Sequence, residues 1–125
     1  MSLMLLFVML ALPMYINAQT VIDIQVSPNV LNLQNQGQVV TIHTNIPYSQ
    51  VVGSTVFLND VYIKSWKSDN QGFFVAKFLM STIKNLPLNI GEYNTLTLIG
   101  LKTNGEPFYG SEDILVINVL PNGHK

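Results

Sequence analysis

Cysteine is absent from the 125 residues, and with it go disulfides, thiolate metal clusters, cysteine nucleophiles and a lipid anchor on an N-terminal cysteine. Any fold this chain adopts has to stand on packing alone. Arginine is missing as well, since all six cations are lysines. The planar fork that grips phosphate in two places is therefore unavailable. Charge of either sign is scarce: 10% of residues are charged, against about 25% in an ordinary soluble domain, and the net charge is −1. Such a surface has little long-range field, which argues against nucleic acid as a partner. Neither a glycine-rich phosphate loop, a G-x-S-x-G elbow nor an N-x-S/T sequon occurs. No segment keeps helical periodicity for long.

One unbroken apolar run is present, and it stands at the front. Leu3 to Leu12 reads LMLLFVMLAL, followed by the helix breaker Pro13 and then Met14-Tyr15-Ile16-Asn17-Ala18. Its length suits the 7–15 residues of a secretory h-region, whereas a membrane-spanning helix needs about 20. Ala18 is the small residue that signal peptidase requires, so residues 1–18 are expected to be a signal peptide cut before Gln19. The run lacks the usual preceding lysine or arginine, and an uncleaved anchor is the competing expectation. Secretion or display on the cell surface follows from the first reading. All thirteen charged residues lie beyond this leader.

From Gln19 onward the apolar residues recur at period two in short runs broken by turn residues, the pattern of β-strands. Val21 to Val26 alternates and ends at Ser27-Pro28-Asn29. Leu31 and Leu33 form a short segment, and VVTIHT (Val39 to Thr44) is almost wholly β-branched. Thr55 to Leu58 and Val61 to Trp66 flank Asn59-Asp60, a tight turn by composition. FFVAKF (Phe73 to Phe78) follows a polar loop, and Leu79 to Asn85 has room for one helical turn before Pro87. Tyr93 to Thr103 and Phe108 to Val119 are the longest strands, joined across Asn104-Gly105. Gly110 is expected to mark a bulge. Seven or eight strands at this spacing predict an all-β, immunoglobulin-like sandwich of two antiparallel sheets over residues 19–120, with a short polar tail at 121–125. Trp66 is expected to fill the space between the sheets.

Candidate sites are few. His43 sits inside a strand, alternating with Thr41 and Val39, and reads as an outward residue; His124 lies in the tail. Glu112 and Asp113 are adjacent, so a strand sends them to opposite faces and they make no catalytic pair. With no nucleophile held by a base, the chain is read as a non-enzyme that needs no cofactor or metal. Aromatic residues remain. Phe73 and Phe74 are neighbours, as are Phe108 and Tyr109, so one of each pair should point outward. These four, with Val21 and Asp23 on the first strand, are the candidate partner contacts. That strand begins directly after the expected cut, and it can pair within its own sandwich or be donated to a neighbour.

The order SPNVLNLQNQGQVVTIHTNIP, STVFLNDV, SDNQGFFVAKFLM and GEYNTLTLIGLKTNGEPFYGSEDILVINV resembles a recurrent extracellular domain of archaeal and bacterial secreted and cell-surface proteins. The positions that carry the likeness are Pro28, Leu31, Leu33, Gly37, Val40, Thr41, Val56, Leu58, Asn59, Ala76, Lys77 and Phe78. The closing run adds Gly100, Asn104, Gly105, Phe108, Gly110, Ser111, Ile114 and Val116. Together they span about Ile24 to Val119. The resemblance implies an accessory or structural role outside the cell and brings no catalytic residues. Relatives often carry a Gly-Asp-rich loop able to hold Ca²⁺, but Asp69-Asn70-Gln71-Gly72 holds a single acid where six to eight oxygens are needed. Two functions stay open. One is a structural or interaction module that contacts another extracellular protein or itself; the other is a small carbohydrate- or ligand-binding module whose outward aromatics stack on its ligand.

Overall fold

Turn chemistry sets the hairpins. Asn59 and Asp60 both take positive φ (43° and 70°), the pair of left-handed residues that a two-residue type I′ turn demands. They fold strand β5 (Val51–Leu58) back onto β6 (Val61–Tyr62), with Leu58 opposite Val61 and Phe57 opposite Tyr62. A longer turn through Asn104-Gly105, with Gly105 alone at positive φ (88°), joins the two longest strands, β9 (Tyr93–Lys102) and β10 (Pro107–Ile117), which pair in unbroken register from Leu101–Pro107 to Tyr93–Leu115. The remaining strands are β1 (Thr20–Val21), β2 (Ile24–Ser27), β3 (Val30–Asn32), β4 (Val39–Pro47), β7 (Ser65–Ser68) and β8 (Phe73–Leu79). A single helical turn, α1 (Met80–Ile83), follows β8 as expected and puts Met80 and Ile83 into the core. The computed structural model describes residues 19–120; the expected signal peptide, the polar tail and His124 lie outside them.

Two sheets result, with strand orders β2-β4-β8-β7 and β1-β10-β9-β5-β6, and β3 also pairs with β10. In immunoglobulin lettering the smaller sheet is A-B-E-D, and β10, β9, β5 and β6 take the places of G, F, C and C′. The all-β two-sheet sandwich is thus the fold. One detail differs from a purely antiparallel pairing: β1 and β3 both run parallel to β10. The first strand is not continuous either. Ile22 donates its N–H to Tyr109 O in the larger sheet, whereas Asp23 O accepts from Asn45 N in the smaller one. The chain therefore changes sheets between Ile22 and Asp23, and both halves pair within their own domain. A second switch divides the expected Val61–Trp66 strand, since Ile63 N reaches Val56 O and Lys64 N reaches Lys77 O.

Among the described residues a single apolar cluster fills the sandwich, with Phe74, Phe78, Phe108, Ile42, Leu58 and Leu98 fully buried. Side chains of the two sheets meet there with no cross-link between them. Its two buried polar residues are both satisfied. Thr44 donates to Phe74 O where the β4–β8 register slips, and Asn94 bonds both the N–H and the O of Asn89. Trp66 is not in this core: its indole lies at the open rim, 39% exposed, laid over Gly53 of β5. Edge strand β7 has no further strand beyond it to bury the ring. Nor does Gly110 make a bulge. A Cβ there would come within 2.6 Å of Ile22 O, so the residue is glycine because the N-terminal strand crosses over it.

Candidate functional site

The outer face of the larger sheet carries one row of apolar side chains that runs across every strand of the β1-β10-β9-β5-β6 path. Cross-strand register aligns Tyr62 with Phe57, Phe57 with Ile99, Ile99 with Tyr109, and Tyr109 with Val21. Each faces outward for the same reason. Their chain neighbours Val61, Ile63, Val56, Leu58, Leu98, Gly100, Phe108, Gly110 and Ile22 are all buried, and a strand alternates. A second row, Val52 beside Leu101, extends the patch. Phe57 and Tyr62 meet edge to face, with centroids 5.3 Å apart. Between these side chains lies an open groove of about 620 Å³ whose walls include Phe57, Ile99, Leu101, Pro107, Tyr109 and Gln19.

The threonine and serine hydroxyls beside the row are already hydrogen-bonded to backbone, to one another or to Asp113. Thr55 Oγ1 donates to Val52 O and accepts from Leu101 N, closing the register shift between β5 and β9. The Thr97 and Ser111 hydroxyls lie 2.8 Å apart, and Thr95 donates to Asp113. Asn59 reaches past the hairpin to accept from Thr97 N and donate to Thr95 O, so its side chain replaces a strand that β9 would otherwise lack there. Thus the apolar row is bordered by a self-satisfied polar band.

The smaller sheet turns a different surface outward. Gln25 and His43 are paired across β2 and β4, and Lys67 and Lys77 follow on β7 and β8 around a covered Val75. His43 is outward and exposed, as its alternation predicts.

Of the six candidate contacts, the structure brings Val21 and Tyr109 together on the row. Phe74 and Phe108 are corrected: at 0% and 1% exposure both belong to the core, and the Phe74 ring is covered from outside by Tyr48, with centroids 6.4 Å apart. Phe73 is half-buried on the smaller sheet, away from Tyr109. Asp23 sits at the sheet switch, where its N–H donates to Asn45 Oδ1 and its carboxylate accepts from Asn45 Nδ2. Sequence reasoning missed Phe57, Tyr62, Ile99, Val52 and Leu101. The turn at Asn59-Asp60 was a usable signal, because a two-residue hairpin fixes Phe57 opposite Tyr62 on one face.

Glu112 points inward and accepts the N–H of Val26 at 2.6 Å, and Asp69 accepts from Gln71 N and Phe73 N to shape its loop. Neither carboxylate joins others: among the described residues no three His, Cys, Asp or Glu gather as a metal site would require. No helix among them is long and apolar enough to cross a membrane. The molecule is an all-β sandwich with one apolar outer face. No family model matches the chain, and neither a curated protein nor a solved structure shows significant similarity to it.

Proposed function

We propose that the protein is an exported structural or interaction module of the cell surface or extracellular matrix, working by contact between its larger sheet and another protein surface. The observation that carries this reading is the registered row Tyr62, Phe57, Ile99, Tyr109 and Val21, continuous across the sheet, with all but the half-buried Phe57 exposed to solvent. Single exposed apolar residues are ordinary on any protein, whereas a contiguous patch marks a contact. The apolar run Leu3 to Leu12, read as the core of a secretory signal, supports its placement outside the cell. Carbohydrate binding is the weaker reading: a sugar needs polar groups beside the stacking ring, and here Thr55, Thr97 and Ser111 are held by each other or by backbone.

Fractionation of the producing cells tests this. The wild-type chain should partition with the surface or matrix fraction, and Ile99→Lys should move most of it to the medium without lowering its melting temperature by more than a few degrees. Equal partition of the two chains would refute the role given to this face.

A further inference from the structure

The partner of this face can be named more closely, on the assumption that the contact role above is right. The apolar row runs across the strands, spanning four inter-strand spacings, or about 19 Å. An extended peptide laid along the sheet would cover only part of that width. A second sheet covers all of it. The row is also centred. Ile99 stands on β9, third of the five strands, with Phe57 and Tyr62 on one side and Tyr109 and Val21 on the other.

A two-fold axis lying along β9 in the plane of contact would set Ile99 on Ile99 of a second copy, Phe57 on its Tyr109, and Tyr62 on its Val21. Every apolar member of the row then meets another, the self-complementarity that a two-fold interface requires. Charge does not oppose this. Asp113 lies in the polar band, off the apolar row, and accepts from Thr95, and Lys102 pairs with Glu106 at 3.3 Å by the hairpin end. Lys67 and Lys77 belong to the other sheet. Area is sufficient too. The row with Val52 and Leu101 exposes on the order of 600 Å², the top of what a monomer leaves in one patch. With its threonine border the face comes near the roughly 800 Å² per partner of a standard interface.

We infer that two copies of the domain pack face to face through their larger sheets, on a two-fold axis through Ile99. Among the described residues every buried apolar side chain lies between Ile22 and Val116, so a chain beginning at Gln19 holds the whole core.

Sedimentation equilibrium on that chain, from about 1 µM to about 1 mM, tests the inference. Wild type should be half dimeric in the tens of micromolar, roughly the strength of a modest apolar interface. Ile99→Lys should raise the dissociation constant by about 30-fold or more, as loss of a central anchor does. Gln25→Lys, on the outer face of the smaller sheet, should change it less than about twofold. Both variants should melt within a few degrees of wild type. A wild type that stays monomeric to 1 mM overturns the inference, as does dissociation by Gln25→Lys in place of Ile99→Lys. If wild type is monomeric while Ile99→Lys still leaves the surface fraction, the face serves a different protein and only the second copy is lost. If Ile99→Lys alters neither assembly nor partition, both readings fall.

Discussion

Gly53 and Trp66 act as one unit. A Cβ on Gly53 would lie 2.1 Å from the indole, so the ring can rest on β5 only because that position has no side chain. Gly53→Ala should cost about 1–3 kcal/mol by forcing the ring away, and most of that loss should vanish when Trp66→Ala is made as well. Trp66→Ala alone should cost about 1–2 kcal/mol, because the rim indole is only partly removed from water. Phe74→Ala, wholly enclosed, should cost about 3–5 kcal/mol. Urea unfolding of the four proteins decides, and strictly additive Gly53 and Trp66 effects would contradict the packing described. Gly110 offers a contrast. Its tightest contact is the Ile22 carbonyl at 2.6 Å, which is backbone, so truncating Ile22 or Ile24, whose side chains also crowd the position at 2.9 Å, should relieve only part of the cost of Gly110→Ala.

Strand edges show how the fold guards itself. β7 carries Lys67 and is preceded by Lys64, and β6 is only two residues long. β2 has no lysine, but the Glu112 carboxylate crosses from β10 to take the N–H of Val26 that a neighbouring strand would otherwise seek. Inward charge of this kind blunts an edge. Glu112→Ala leaves that N–H without its acceptor and should cost about 1–3 kcal/mol, with Glu112→Gln, which keeps an acceptor oxygen, losing less. Chemical denaturation with an unchanged m-value would report it cleanly. Element by element, the turns at Asn59-Asp60 and Asn104-Gly105, the helical turn before Pro87 and the long closing hairpin were legible in the sequence, since local chemistry dictates them. The two sheet switches were not. Ile22, Ile24 and Val26 stay buried at period two straight through the first switch, and Val61 and Ile63 do so at the second. Both sheets face the same core, so a strand can change sheets without altering its alternation. The apolar row was hidden for a related reason. Alternation tells which residues point outward, but only register between strands distant in sequence sets Val21, Phe57, Ile99 and Tyr109 side by side.

On the scale of the whole molecule, two outer faces of opposite character flank one core. The larger sheet presents aromatic and aliphatic side chains without charge along its row, and the smaller presents Gln25, His43, Lys67 and Lys77. Which face makes contact can be decided without knowing the partner, because the two kinds of attraction answer differently to salt. Attraction between exposed charges is screened over about 8 Å at physiological ionic strength and over about 3 Å at 1 M. Contact through the lysine face would therefore fade as salt rises. Burial of an apolar row has no such dependence and is strengthened by sulfate, which is excluded from protein surface. Both surface retention and the dimer constant should thus vary less than about twofold between 0.05 and 0.5 M NaCl, and should tighten in ammonium sulfate. Calorimetry of association should show a negative heat-capacity change, the mark of apolar surface leaving water. A tenfold or greater loss with added NaCl would move the contact to the lysine-bearing sheet and away from Ile99.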